Sequence, residues 1–554
     1  MGAIETEVLI VGAGPVGLIA AILLARQGIA CRVVERRDGP QRAPAAHAVN
    51  ARTLEICRQA GIDMAAIDAA CVAPADGGAV RWMTTLAGEE LGSLPYERQG
   101  DEQRAVTPTP LRNLSQHRFE PILVDTLAAL PAAALDWRHE WQAAEQDAGG
   151  VTSRIVAGGE TYEVRSRWLL ACDGAGSRVR KAVGIEPIGP SRMQCFLMIH
   201  FEANLRGLVG ERPGVLYWTT DPAAAGTFVA HDIDRTWVFM HPWDPDAERF
   251  EDYDEARCAA LVRAALGSDA WPFTIRTISP WTMTAQVAER YRDRRIFLVG
   301  DAAHRFPPTG GMGLNTGVQD AHNLVWKLRA VDAGWAAPAL LDTYERERRP
   351  IAQRNADVSV ANAMRLYEIF DALGGVGPSA AAPYAAALAD PAGRQRVAQA
   401  IANQAEHFDM LGLQLGFTYE EGALVPDGTQ APAPANPVRE LVPNARPGAR
   451  LPHAWIGARS TLDLIAYDRL TLITGVDGGA WAAAAATIEG VPLAHVALGR
   501  DVDASWAAAL AIDAGGALLV RPDQHVAWRS AGTAADPAAT LRSALARIAG
   551  GSTS

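Results

Sequence analysis

The chain has 554 residues, 49% of them apolar, and a net charge of −12, which is enough length for two or three domains around a sizeable core. The acidic balance excludes a nucleic-acid partner, which needs a concentrated basic face. Lys181 and Lys327 are the only lysines, and neither closes a glycine-rich loop, which excludes a P-loop.

Residues 8–25, "VLIVGAGPVGLIAAILLA", are uncharged for the length of a membrane span. Glu5 and Glu7 stand where a signal would carry positive charge, and Gly12, Gly14, Pro15 and Gly17 interrupt the run. The start "MGAIET" matches a loose myristoylation pattern through Gly2 and Thr6. Both matches are read as accidental, and no membrane partner is expected. The stretch reads instead as strand, Gly12-x-Gly14-x-x-Gly17 turn, helix to about Gln27 and second strand ending at Glu35. Gly12 suits a tight turn, Gly14 a close pyrophosphate and Gly17 close helix packing. The helix N-terminus offers free N–H groups to phosphates. Glu35 is placed to accept hydrogen bonds from a ribose, with Arg36 beside it as a further cofactor candidate. FAD, NAD and NADP are not distinguished by this unit.

Between 195 and 241, "CFLMIHFEA", "GVLYWTT", "GTFVAH" and "TWVFMH" read as strands of a mixed sheet. Alternation turns Trp237 and Phe239 to one face; with Tyr217, Trp218, His231 and His241 they are candidate pocket lining, although aromatics in strands are more often core.

At 295–328, "RIFLVGDAAHRFPPTGGMGLNTGVQDAHNLVWKL", a strand ends at Gly300 and Asp301, and Leu314, Val318, Ala321, Val325 and Leu328 recur at helical spacing. A flavin dinucleotide needs such a second contact beyond the first glycine loop. Asp301 can accept from ribityl hydroxyls, and Gly310, Gly311 and Gly313 let backbone pass close to a flat ring. A helix start there stabilises negative charge on a reduced flavin. Pro308, Leu314 and Asn315 complete this candidate set. The six cysteines, at 31, 57, 71, 172, 195 and 258, form no CxxC pair and no zinc spacing. Reduced cytoplasmic thiols and no metal are expected.

The segments "GAGPVG", "CDGAGSRVR" at 172–180 and "GDAAHRFPPTGGMGLNTGVQDAHNLVWKL" together resemble the class A, single-component FAD-dependent aromatic hydroxylases. The likeness is to the phenolic branch that includes 2-hydroxybiphenyl 3-monooxygenase, 2,4-dichlorophenol 6-monooxygenase and 3-(3-hydroxyphenyl)propionate hydroxylase. It implies an α/β chain: a Rossmann-like FAD-binding domain of the GR2/PHBH type, an inserted β-sheet substrate domain and a C-terminal thioredoxin-like domain. The expected pieces are 1–75, 101–185 and 290–415 for the FAD domain and its helices, 76–100 and 186–289 for the substrate domain, a 416–447 Pro/Ala linker, and 448–554 for the last domain. With no cysteine after 258, that last domain does no dithiol chemistry, and packing or homodimerisation is its expected role.

The resemblance also implies flavin contacts at Arg112 and Gln116, flavin and nicotinamide roles for Asp173, Gly174 and Arg178, and binding or deprotonation of a phenol by His47. A histidine suits that task near neutrality; the alternative is a loop histidine ahead of the helix near Asn50. Relatives carry an arginine just before this position where the chain has Ala45 and Ala46, so Arg42 is the candidate substitute. The expected reaction uses NADPH or NADH to reduce FAD and O2 to form a C4a-hydroperoxide that hydroxylates a phenol ortho to its hydroxyl. Rival readings are Baeyer–Villiger oxygenation of a polyketide-like ketone, a flavin dehydrogenase or reductase, and a flavin-binding interaction protein. A halogenase is disfavoured because its GWxWxI signature is absent.

Overall fold

The computed structural model describes residues 4–550; Gly2 of the myristoylation-like start lies outside them. The apolar run at 8–25 divides into strand Ile4–Val11 and helix Pro15–Arg26. Among the described residues, no helix is long and apolar enough to cross a membrane. The break falls where it does because Gly12 takes a φ of 105°, open to glycine alone at little cost, and Pro15 presets the first helical turn.

Ile4–Val11 is the centre of a parallel set in an eight-stranded sheet. Cys31–Glu35 and then Ala133–Trp137 lie on one side, and Glu160–Ala171 and then Ile296–Leu298 on the other. Val8, Leu9, Ile10, Leu169 and Leu170 are wholly buried, as parallel strands covered on both faces must be. The chain reverses direction across the sheet between Ile4–Val11 and Glu160–Ala171, so the ligand crevice of such a sheet opens at the carboxyl ends of these two strands.

A second sheet has seven strands in the order Thr274–Met283, Gln194–Glu202, Thr236–Trp243, Gly226–Asp232, Leu216–Thr219, Ala79–Met83 and Glu90–Pro95. One face packs Tyr217, Phe228, Trp237 and Phe239 with Val262 and Leu266 of helix Glu255–Leu266. The opposite face carries Trp82 and Trp218, with His200 and His231 in the alternate registers of their strands. Helices Tyr367–Ala372 and Pro391–Ala402 cover part of it through Ile369, Leu373, Val397 and Ile401. The reading along the chain groups these helices with the dinucleotide unit; they pack on the seven-stranded sheet because its second apolar face must also leave water.

Residues 416–447 contain no helix or strand, yet Phe417, Tyr419 and Leu424 are buried against Ile351, so the Pro/Ala segment is pinned along its first part. Beyond it, Leu493–Ala497, Leu470–Thr474, Ala517–Val520 and Val526–Ser530 form a four-stranded sheet in that order, the first pair parallel and the others antiparallel. With helices Gly479–Ala485 and Pro537–Ile548 this is the arrangement expected of a thioredoxin-like unit.

Buried charges join this unit to the rest. The Glu347 carboxylate accepts from Arg521 Nη1 at 2.8 Å, Arg521 Nη2 at 2.7 Å and Lys327 Nζ at 2.8 Å. Arg521 also pairs with Asp523. Beside them Glu55 accepts from Arg52 at 2.9 Å and Arg450 at 2.8 Å, and Arg52 donates to Gln524 Oε1 at 2.7 Å.

Candidate active site

The three motifs converge at the carboxyl ends of adjacent strands. A Cβ on Gly12 would stand 2.3 Å from the Cys172 carbonyl oxygen, and one on Gly17 2.1 Å from the Gly12 carbonyl oxygen. Both glycines are therefore required by packing. At Gly14 nothing lies within 4 Å. This glycine is the cap of helix Pro15–Arg26 and no side chain bonds there, so the first N–H groups are free to meet a pyrophosphate. Glu35 is buried at the next strand end, accepting from Ala13 N at 2.8 Å and Arg37 N at 2.9 Å. Burial raises its pKa, but those N–H groups and the Arg37 guanidinium outweigh it and hold the carboxyl below its usual range. Arg36 stands exposed, whereas Arg37 reaches back to Ala13 O at 3.1 Å. The sequence reading missed Arg37; its one available signal is the arginine pair after Glu35.

Asp301 lies open at the tip of the third strand and makes no hydrogen bond or ion pair among the described residues. Desolvation by the surrounding crevice raises its pKa, against the lowering effect of His304 and Arg305. Its Oδ1 lies 3.9 Å from where a Cβ on Gly313 would stand. Acid and helix start are thus neighbours, as the motif implies. Helix Met312–Asp332 begins after Gly311 with no side-chain cap. An uncapped helix start, an uncommitted carboxylate and the open Gly14 turn fit an FAD.

Other expectations change. Gly310 and Gly311 do not face open space: an added Cβ would lie 2.5 Å from Met410 Cε and 2.7 Å from Ala48 Cβ, and their φ values are 98° and 61°. They are glycines because the backbone is left-handed and packed against protein. Asn315 is buried, donating to Ala48 O at 2.8 Å and Gly311 O at 2.6 Å and accepting from Asn50 N at 2.9 Å. It ties the His47 segment to the helix start. Pro308 is exposed and Leu314 half-buried.

The Asp173 carboxylate accepts from Ser177 Oγ at 2.6 Å, Arg178 N at 2.7 Å and Val179 N at 3.1 Å, a satisfied turn at a strand end, with Gly174 at φ 80°. Arg178 pairs with Glu140 at 2.7 Å, Arg112 with Asp68 at 3.2 Å, and Gln116 donates to Glu120 at 2.7 Å. Arg42 is exposed and pairs with Asp38.

His47 lies between the two sheets, with Tyr96 at 5.9 Å and His231 at 5.7 Å between ring centres. His117 lies 6.3 Å from His231. Asn113 gives its amide hydrogens to Gly77 O at 3.1 Å and Gln99 Oε1 at 3.2 Å, so its oxygen faces His47 Nδ1 at 3.2 Å as acceptor. That bond places the ring proton on Nδ1 and leaves Nε2 bare. Burial lowers the His47 pKa below its usual 6.5, more than the Asn113 bond raises it. The ring is therefore a neutral acceptor near pH 7. Trp82 and Trp218 stack at 5.1 Å, Phe408 lies 5.6 Å from Trp218, and Tyr96 lies 6.3 Å from Phe408, forming an aromatic wall that reaches His47.

Of the candidate lining, His231 is at this place. Tyr217, Trp237 and Phe239 are not: they share a face, as alternation requires, but it is the face packed on helix Glu255–Leu266. Tyr217 donates to Arg212 O at 3.0 Å and Trp237 Nε1 to Ile233 O at 3.2 Å. His241 bonds Ala225 O at 3.2 Å beside Phe239. Tyr96, Asn113, His117 and Phe408 were missed, since they come from separate segments with no shared local pattern.

Residues 5–359 match the family model described as "FAD binding domain", and residues 444–552 the one described as "Aromatic-ring hydroxylase, C-terminal". The chain belongs to the FAD-dependent aromatic-ring hydroxylases. This hydroxylase is 35% identical to 2,4-dichlorophenol 6-monooxygenase of Cupriavidus pinatubonensis, covering 99% of the chain and 97% of the relative. It is 34% identical to tetracenomycin A2 monooxygenase-dioxygenase of Streptomyces glaucescens, covering 98% and 97%. Among solved structures it matches the flavin-dependent monooxygenase PieE in complex with FAD and substrate, with a TM-score of 0.92 and 36% identity over 99% of this chain and 100% of that one. The hydroxylase is an FAD-dependent monooxygenase, and NAD(P)H is the co-substrate typical of its family.

Proposed function

We propose that the protein hydroxylates a phenol ortho to its hydroxyl, using NAD(P)H and O2, with His47 accepting the phenolic proton. The observation that carries this reading is the bare Nε2 of a neutral histidine, oriented by Asn113 and set beside an aromatic wall. Removing the proton makes the oxygen an electron donor to the ortho carbon, while Tyr96 and Phe408 exclude water from that side. An acceptor aimed at an acidic O–H favours a phenol over the ketone of a Baeyer–Villiger reaction.

The Gly14 turn would hold the pyrophosphate, Glu35 the ribose, Asp301 the ribityl chain and the helix start at Gly313 the flavin ring. When bound, FAD would carry the two electrons of NAD(P)H to O2, which is the oxidant of the reaction. Six free thiols support a reducing, cytoplasmic location. The relatives' names span a chlorinated phenol and fused-ring polyketides, so the experiment is a screen of single-ring phenols, fused-ring phenols and polycyclic ketones. It would read acceleration of NADPH oxidation and incorporation of labelled oxygen. Hydroxylated product from a phenol upholds the reading; an ester or lactone formed from a ketone alone overturns it. Asp301→Ala should purify with little flavin, and fully loaded protein would displace that site assignment.

A further inference from the structure

His231 has no part in the reaction as described, yet its position is unusual for a structural residue. The ring is only 3% exposed, on strand Gly226–Asp232. Its Nδ1 is buried without a hydrogen-bond partner, and no described protein group bonds its Nε2 either. The ring stands edge-on to His47, at 88° between planes and 5.7 Å between centres.

A neutral imidazole carries one N–H. An orphaned N–H in the interior is rarer than an under-used acceptor, so the proton belongs on Nε2, the nitrogen that is not sealed inside the protein. The titratable groups around His231 are His47, His117 and His200, with no carboxylate among them, and burial together with these neighbours holds its pKa well below 6.5. His117 is engaged elsewhere, with Nδ1 at 2.8 Å from Ser115 Oγ.

The two neighbouring rings therefore present opposite polarity. His47 offers a lone pair at Nε2 because Asn113 holds the proton at Nδ1; His231 offers an N–H. An oxygen at ordinary hydrogen-bond distance from both would lie about 4 Å from each ring centre. The 5.7 Å separation then sets an angle of roughly 90° at that oxygen, which a hydroxyl on an aromatic carbon accommodates. A donor to the oxyanion supplies what His47 alone lacks, because taking a proton leaves a negative charge on oxygen, and no arginine or lysine is among the groups that shift His47 or His231.

Resting on the phenol reading above, we propose that His231 is a second substrate-binding residue, whose Nε2–H donates to the phenolic oxygen as His47 Nε2 takes that oxygen's proton. The O–H bond breaks, the proton forms the His47 imidazolium, and the electron pair stays on oxygen, held by His231. The class of substrate is then a phenol that ionises on binding. A ring bearing only an ether or a carbonyl at this position cannot use both histidines.

The test titrates the FAD-loaded enzyme, without reductant, with 4-nitrophenol, whose ionisation is visible, and reads the apparent pKa of the bound probe. The wild type should lower that pKa. Removing one hydrogen bond to a charged oxygen in His231→Met should reduce the ionisation constant of the bound probe by about 10-fold, and His231→Gln, which keeps an N–H, should recover most of it. Should His231→Met fail to load FAD, His231→Phe provides the donor-free comparison. A donor-free variant with the wild-type probe pKa overturns the proposal, as does a His231→Gln no better than His231→Met. If the wild type binds no phenol, and no phenol accelerates NADPH oxidation, the phenol reading itself fails; an intact phenol response with an indifferent His231 sinks only this inference.

Discussion

Two buried polar groups in this molecule behave in opposite ways. At the junction with the last domain, Glu347, Arg521, Asp523 and Lys327 are each almost wholly buried and each charge meets an opposite one. Between the sheets, His47 and His231 stand 5.7 Å apart, with Nε2 of His47 and both nitrogens of His231 uncommitted among the described residues. Mutual satisfaction locks the first group into a single geometry and leaves nothing for a ligand. The second is held neutral by burial, with hydrogen-bonding capacity in reserve, which is how a binding site differs from a joint.

That contrast yields a scale of effects. Arg521→Met should be the most damaging to stability, because it removes the guanidinium that Asp523 pairs with and leaves Glu347 only Lys327 as a cationic partner; a loss of about 3–5 kcal/mol is expected in denaturant unfolding. His47→Ala should invert the pattern, with flavin retained, unfolding changed by under ~1 kcal/mol and kcat/KM for hydroxylation down by about 10²-fold. Equal stability losses in the two variants would erase the distinction between joint and site.

Acid should separate the groups further. Burial raises the Glu347 carboxyl, but Arg521 and Lys327 hold it down at about 2, below its usual 4.5. Its contribution is therefore present above pH 4.5 and lost as pH falls toward 2. Since the His47 pKa is lowered from 6.5, the acid limb of kcat/KM should lie below pH 6.5. Glu97 has the opposite sign: burial first, with Asp409 adding, raises it to about 7. Stability tied to it is present below pH 4.5 and lost as pH rises toward 7 and beyond. Glu97→Gln should thus gain about 1 kcal/mol at pH 8, discounted for partial exposure, and nothing at pH 4. The smallest effect expected is Tyr217→Phe, which costs about 1 kcal/mol through its bond to Arg212 O and leaves KM unchanged, whereas a raised KM would return Tyr217 to the pocket.

Where local sterics dictate the residue, sequence suffices. Gly12, Gly17 and the helix starts at Pro15 and Met312 follow from backbone geometry and hydrophobic period within a few residues. Alternation along 236–243 likewise shows that Trp237 and Phe239 share a face. It does not say which face of the sheet meets the cofactor domain, and that is why these residues were assigned to the pocket when they belong to the core. Gly310 and Gly311 read as room for backbone beside a flat ring because Met410 and Ala48, which crowd them, are distant in the chain.

The glycine turn, the acid at the strand end and the helix start after Gly311 are legible in the chain alone, since each is a short-range consequence of φ, side-chain size or hydrophobic period. That Asn113 sets the tautomer of His47, that His231 stands beside it and that Glu347 finds Arg521 follow from packing between distant segments. Hydrogen-bond polarity and charge balance depend on which groups meet after the sheets pack, and no periodicity in the chain encodes those meetings.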